Sequence, residues 1–274
     1  MKKKIIIIGK RSFVSLNLFF HLRNKHNIKT FDYKKFLNLK ESYISKFDYV
    51  INCSINKNYI KNKYFQKNDF NFMIAKKIEN INTNMIFLSS RKVYKKKYNS
   101  KENDPIAPNC NYSKNKLISE NMLLKILNKK ILILRISNLI GPYIQNKNKL
   151  HKTFIDIFFE NIKKGVILKS DKCYKDFLSV SKFSQIIDSL IKKNAKGTYN
   201  VSIGKKIYLK EIVKWLNYYN TKRYNYVKLN KSSNNESFTL NNRKLMSKIN
   251  VKNRIDDLKS DCKMISKKFF KKRN

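Results

Sequence analysis

The sequence predicts an α/β fold: a doubly wound parallel sheet with a smaller C-terminal lobe. Short apolar runs recur at Ile5 to Ile8, Ile28 to Phe31, Tyr49 to Asn52, Met85 to Leu88 and Ile131 to Leu134. Most intervals between them hold helix-length periodic segments, which is the pattern of a βαβ series. The runs do not alternate strictly, as suits parallel strands covered on both faces. Gly9, Ser12, Asp32, Cys53, Ser54, Ser89 and Ser90 all fall at the carboxyl ends of these runs, where such sheets take their ligands.

The first run opens as Met1-Lys-Lys-Lys-Ile5 and imitates a signal peptide, but it stops at Gly9-Lys10-Arg11, far short of a secretory core. No stretch reaches the roughly 18 apolar residues of a membrane span, so none is expected. After the run, the spacing G-x-x-G-x-x-G is occupied as Gly9-Lys-Arg-Ser12-Phe-Val-Ser15. A glycine-rich turn there lets backbone approach a pyrophosphate, and the following helix N-terminus stabilises its charge. A dinucleotide is therefore expected on Gly9, Ser12, Phe13 and Val14. A left-handed Ser12 would cost about 1–2 kcal/mol, roughly tenfold in cofactor affinity.

Asp32 closes the second run, placed to accept from a ribose 2'-hydroxyl and to repel a 2'-phosphate, which favours NAD over NADP. The plainer reading of Asp32 is an ordinary loop acid. Cys53 and Ser54 follow the third run and join the expected cofactor contacts. The fourth run ends in Ser89-Ser90, and Asn111-Tyr-Ser-Lys-Asn-Lys116 follows 22 residues later. Residues i and i+4 share a helix face, so the Tyr112 phenol and the Lys116 ammonium can reach one substrate. A lone Y-x-x-x-K arises by chance in a chain so rich in Tyr and Lys; the serine-ended strand before it lifts the signal.

Lys plus Arg number 62 against 18 acids, for a formal charge of +44 and a pI near 10.1. Taken alone, that balance points to nucleic acid. The enriched Lys, Asn, Ile, Phe and Tyr have A/T-rich codons, however, while Gly is 5, Pro is 3 and the alanines are Ala75, Ala107 and Ala195. The bias reads as that of an AT-rich genome, the lysines are scattered, and nucleic acid is not an expected partner. Cys53, Cys110, Cys173 and Cys262 show neither C-x-x-C spacing nor a small secreted frame, so reduced thiols in a cytoplasm are expected. His21, His26 and His151 make no ligand set with them, and no metal is expected.

Longer segments carry a resemblance. Phe47-Asp-Tyr-Val-Ile-Asn-Cys-Ser54, Ile86-Phe-Leu-Ser-Ser-Arg-Lys-Val-Tyr94, Glu102-Asn-Asp-Pro-Ile-Ala-Pro108 and Lys116-Leu-Ile-Ser-Glu120 stand in order. Leu134-Arg-Ile-Ser-Asn-Leu-Ile-Gly-Pro142, Lys175-Asp-Phe-Leu-Ser-Val180 and Gly197-Thr-Tyr-Asn-Val-Ser-Ile-Gly204 follow them. From Lys4 to about Val213 the chain resembles an extended short-chain dehydrogenase/reductase of the nucleotide-sugar epimerase, dehydratase and reductase family.

The resemblance implies a Rossmann-type sheet that binds NAD, and a nucleotide-sugar substrate, in surface-polysaccharide sugar biosynthesis. It implies Tyr112 as general acid/base, Ser90 rather than Ser89 as the serine on the reacting oxygen, and Lys116 as holder of the nicotinamide ribose. A cation within about 4–6 Å would also lower the phenol's pKa by about 1–3 units. Family 4,6-dehydratases place acids directly after the catalytic Ser/Thr, where this chain has Arg91 and Lys92, so epimerisation or reduction is expected over dehydration. Arg91, Lys92 and Lys175 are candidates for a substrate diphosphate, or ordinary surface charges. A homodimer through the K-x-x-x-E helix and its neighbour is a further expectation. The alternative is a catalytically degenerate member that binds RNA or acts as a scaffold.

The cofactor domain is expected at residues 1–138 plus 174–193, and the substrate lobe at 139–173 plus 194–274. In that lobe, a helix from Glu211 to Tyr219 buries Ile212, Val213, Trp215 and Leu216. Asn230 to Ser237 reads as a loop. Ile255, Leu258, Cys262, Ile265 and Phe269 follow the spacing of an amphipathic terminal helix. Lys267 to Arg273 reads as a solvated end.

Overall fold

The computed structural model describes residues 2–95, 98–141, 154–169, 173–221, 225–228, 237–252 and 254–270. Pro142, His151, residues 230–236 of the polar stretch and residues 271–273 of the basic end lie outside the described residues. The first half runs β1 (Lys4–Ile8), α1 (Phe13–Leu22), β2 (Asn27–Phe31), α2 (Tyr33–Leu37), α3 (Glu41–Ile44), β3 (Tyr49–Asn52), α4 (Lys57–Lys61), α5 (Phe70–Ile78), β4 (Asn84–Ser90), α6 (Asn111–Leu127), β5 (Ile131–Ile136) and β6 (Asn138–Ile140). The second adds α7 (Phe154–Lys163), β7 (Val166–Lys169), β8 (Tyr174–Lys175), β9 (Phe177–Ser179), α8 (Val180–Lys192), β10 (Gly197–Val201), β11 (Ile207–Tyr208), α9 (Leu209–Leu216), β12 (Asn225–Lys228), α10 (Arg243–Lys248) and α11 (Ile255–Phe270).

Six strands form one parallel sheet in the order β10-β5-β4-β3-β1-β2. β1 shows why its isoleucines need no alternation. Ile5 and Ile7 pack with Leu18 and Leu22 of α1 and Phe183, Ile187 and Leu190 of α8. Ile6 and Ile8 pack on the other face with Phe36 of α2, Ile74 of α5 and Leu123 of α6. Successive side chains of a strand point to opposite faces, and here both faces carry a helical layer.

The sixth strand of the sheet follows α8. Gly197–Val201 pairs in register with Leu132–Ile136 of β5, so the sheet extends past residue 193. Gly197 lets the chain turn from α8 into this strand at a φ of 85°.

A second core gathers Ile155, Phe158, Phe159 and Ile162 of α7, Ile212, Trp215 and Leu216 of α9, and Leu258, Cys262 and Ile265 of α11. Among the described residues, no helix is long and apolar enough to cross a membrane. Asp261 of α11 ties this core to β9, which pairs with β6, by accepting from the Ser179 hydroxyl at 2.6 Å. Burial pushes its carboxyl up to about 6. A folded pKa above the unfolded one contributes stability that is full below about pH 4 and lost as pH rises through 6. Asp261→Asn is therefore expected to stabilise the protein at pH 7 by about 2 kcal/mol, with the gain vanishing near pH 4. Thermal melts at the two pH values check this, and a gain that does not depend on pH would contradict it.

Candidate active site

In an open parallel sheet the ligand crevice lies outside the carboxyl ends of the strands, and here the ends of β1, β2, β3 and β4 and the β1–α1 turn stand at that edge. Gly9 adopts a φ of 99°, and a Cβ there would lie 2.8 Å from the Ser54 nitrogen and 2.9 Å from the Cys53 carbonyl carbon. Both the left-handed backbone and the close approach to β3 require glycine. Gly9→Ala is expected to cost about 2–3 kcal/mol of stability, read as a lower Tm; an unchanged Tm would contradict it.

Ser12 departs from the left-handed geometry considered above. Its φ and ψ are −75° and 150°, and it caps α1 with its side chain accepting from the Ser15 amide at 3.1 Å. The strain therefore does not arise, because serine serves here as an N-cap, where an extended backbone is usual. The Phe13 and Val14 amides fall in the first turn of α1, where N–H groups have no intrahelical acceptor.

Asp32 follows β2 and precedes α2; it is half-buried and its side chain makes no capping bond. The Gly9 amide donates to the Phe31 carbonyl at 2.9 Å, which sets Asp32 beside the glycine turn. Cys53 donates its amide to Ile8 at 2.8 Å, and burial pushes its thiol up, away from reactivity. The Ser54 hydroxyl donates to Asn52 at 2.6 Å, and the Asn52 amide group donates to Asn71 at 2.8 Å.

Ser90, Tyr112 and Lys116 meet at the end of β4. The two serines divide there: Ser89 donates to Glu120 at 2.5 Å, while the Ser90 side chain hydrogen-bonds Tyr112. Lys116 Nζ lies 5.9 Å from the centre of the Tyr112 ring and donates to the Leu88 carbonyl at 2.8 Å. The expectation that Lys116 lowers the phenol's pKa does not hold in this arrangement. Burial pushes Tyr112 up, opposed by the Ser90 bond, and the ammonium is drawn to the strand carbonyl instead. Lys116 itself is brought down to about 8 by burial, against the upward pull of Asp69, Glu120 and Cys53.

A buried network explains why so many separate segments stand in order. Arg135 of β5 donates from Nη2 to Glu120 at 2.7 Å, and from Nη1 to the Tyr94 hydroxyl at 2.8 Å and the Glu102 carbonyl at 3.0 Å. Tyr94 donates to Asn200 of β10 at 2.8 Å, and the Asn200 amide donates to the Glu102 carboxylate at 2.8 Å. The V-Y pair, the acidic lead-in, the K-x-x-x-E helix, the β5 arginine and the G-x-Y-N strand thus close one circuit behind Ser89.

After Ser90, the buried Arg91 stacks its guanidinium carbon 3.6 Å from the centre of the Phe238 ring, and Lys92 Nζ lies 6.0 Å from that of Tyr112. Lys175 sits on β8, paired with β11. Among the described residues, no group of three or more His, Cys, Asp or Glu side chains could hold a metal ion.

A doubly wound sheet with its crevice at the carboxyl ends defines a protein of the dinucleotide-fold class. Within that class, the chain belongs to the NAD dependent epimerase/dehydratase family, whose sequence model matches residues 7–202. It is similar in structure to the UDP-N-acetylglucosamine 4-epimerase from Methanobrevibacter ruminantium M1 in complex with UDP-N-acetylmuramic acid, at 19% identity and a TM-score of 0.81 over 99% of this chain and 100% of that one. The Bordetella bronchiseptica enzyme WbmG in complex with NAD is similar at 19% identity and 0.77, over 99% and 95%. So is the dTDP-glucose 4,6-dehydratase from Bacillus anthracis in complex with NAD, at 16% identity and 0.73, over 98% and 97%. At such identities these likenesses show the fold. A search of curated proteins finds no match.

Proposed function

We propose that the protein is an NAD-dependent epimerase or reductase of a nucleotide-activated sugar, with Ser90, Tyr112 and Lys116 as its catalytic set. The observation that carries this reading is the meeting of these three side chains at the mouth of the crevice that Gly9 and Asp32 open. The crevice suits the cofactor: the Gly9 backbone admits a close pyrophosphate, the Phe13 and Val14 amides face it from the α1 N-terminus, and the Asp32 carboxylate is free of a capping bond to accept from a ribose. Cys53 and Ser54 line the floor.

Bound NAD supplies the acceptor or donor of hydride. Burial holds Tyr112 as the phenol, the form that donates a proton to a carbonyl oxygen as hydride arrives at its carbon; in the reverse sense the same oxygen takes the proton of a hydroxyl. Ser90 holds the reacting oxygen against Tyr112. Lys116, titrating at about 8, is largely cationic at pH 7 and holds the nicotinamide ribose. Arg91 and Lys92 occupy the positions where a dehydratase keeps acids, which disfavours dehydration, and with Lys175 they can meet the substrate diphosphate. Met73 of α5 and Ile118 and Leu124 of α6 leave apolar surface exposed, which supports a homodimer through these helices. Surface-polysaccharide sugar biosynthesis is the setting we infer.

The test is a screen of nucleotide sugars with NAD and of keto-sugars with NADH, scored by product stereochemistry and cofactor oxidation. Asp32→Ser is expected to weaken NAD about tenfold and to erase the preference over NADP. Equal NAD affinity in that variant would remove Asp32 from the cofactor site, and NAD binding without turnover of any sugar would overturn the catalytic reading.

A further inference from the structure

Bonded to α6 at Ser119, three residues past Lys116, is a carboxylate that the reaction as described does not use. Asp69 precedes α5 and is fully buried. One oxygen, Oδ1, does the work of a helix cap, accepting from the Asn71 amide at 2.9 Å, the Asn71 side chain at 3.3 Å and the Phe72 amide at 3.3 Å. Capping needs no more than this. Oδ2 is turned the other way, onto α6, where the Ser119 hydroxyl donates to it at 2.5 Å and the Tyr64 hydroxyl at 3.2 Å. Ser119 lies three residues past Lys116, on the same face of α6. Its hydroxyl is 2.7 Å from that of Tyr59, whose ring centre is 5.8 Å from Lys116 Nζ. Through Asn71 the cluster also reaches Asn52, and through Asn52 the Ser54 hydroxyl.

We propose that Asp69 is the positioning residue of the reactive centre: its Oδ2 clamps α6 at Ser119, three residues past Lys116, and its negative charge acts on the Lys116 ammonium. The inference rests on the reading that Lys116 works with Tyr112. The groups facing Lys116 are few. β4 presents the Leu88 carbonyl and, at 4.7 Å, the Phe87 ring; α4 presents Tyr59, and Cys53 follows β3. α6 presents Tyr112 and Glu120, but Glu120 is matched by the Arg135 guanidinium at 2.7 Å. Among the described residues no lysine or arginine forms an ion pair with Asp69, so its charge is free to act on Lys116. Burial lowers the ammonium's pKa, and Asp69 is the largest of the charges that hold it up.

Asp69→Asn separates the two roles, since an asparagine oxygen still caps α5 while the charge is gone. The probe is protein carrying 13C at lysine Cε, titrated without cofactor from about pH 6 to about pH 10, a range below the ordinary lysine pKa, with the resonance assigned by Lys116→Arg. The Lys116 midpoint is expected to fall by about one unit in Asp69→Asn, and equally in Asp69→Ser, a second charge-free cap. Asp69→Glu is expected to restore it. A midpoint unmoved in both charge-free variants, with only Tm lowered, would make Asp69 a helix cap and overturn the proposal, as would failure of both to fold. Because no NAD is present, loss of the functional reading would appear separately, as absent cofactor binding.

Discussion

Tyr112→Phe is expected to lower turnover about 10³-fold while changing NAD affinity by no more than about twofold. General acid–base transfer by a positioned group contributes about 10²–10⁴, and the substitution removes one hydroxyl while keeping the ring. The Tyr112 oxygen is the acceptor or donor opposite Ser90, and the nearby phenols of Tyr59 and Tyr64 are engaged at Ser119 and Asp69. Burial has already raised the phenol's pKa while bringing Lys116 down to about 8, so the wild-type rate of the reductive direction should hold at neutral pH and fall as pH rises through about 8, where the ammonium is lost before the phenol. Steady-state rates and cofactor titrations on the same preparation check both halves. A variant retaining more than about a tenth of the rate would place proton transfer elsewhere.

The second large effect concerns stability. Arg135→Met is expected to cost about 3–5 kcal/mol, because removing one partner of a buried ion pair leaves the other charge uncompensated. Arg135 is 7% and Glu120 2% exposed in their side chains, and the methionine would also leave Tyr94 and the Glu102 carbonyl without their donor. Replacing Glu120 by Gln in the same chain should recover part of the loss, since a neutral amide tolerates the buried site better than an unpaired carboxylate. Denaturant unfolding of the single and double variants measures this. A single variant within about 1 kcal/mol of wild type would mean that the circuit behind Ser89 is not a stabilising element.

The sheet was legible because its inner strands are buried on both sides, and burial on both sides writes an uninterrupted apolar run such as Ile5–Ile8. β10 was harder, since Gly197-Thr-Tyr-Asn-Val201 mixes small and polar residues at the edge of the sheet; only its pairing with β5 reveals it. Ser12 could be read as a damaged glycine position because spacing carries no dihedral angle, whereas the folded turn uses it as a cap. Tyr112 and Lys116 were visible through their i, i+4 spacing. Their electrostatics were not, because the Leu88 carbonyl that holds the ammonium belongs to a strand 28 residues away. Asp69 left no signal in an Asn- and Lys-rich stretch, for its importance depends on Ser119, 50 residues on. Arg135 and Glu120 stand in segments that carry the resemblance, and their buried ion pair at 2.7 Å gives the physical reason.

The serine-bearing turn after β1 is expected to hold NAD. The most direct measurement is a calorimetric titration of the purified protein with NAD, NADH and their 2'-phosphorylated forms at physiological salt. Saturable binding of NAD and NADH is expected, with the 2'-phosphorylated forms at least about tenfold weaker if, as proposed, Asp32 accepts from the ribose. Absence of all binding, or preference for the phosphorylated forms, would contradict it.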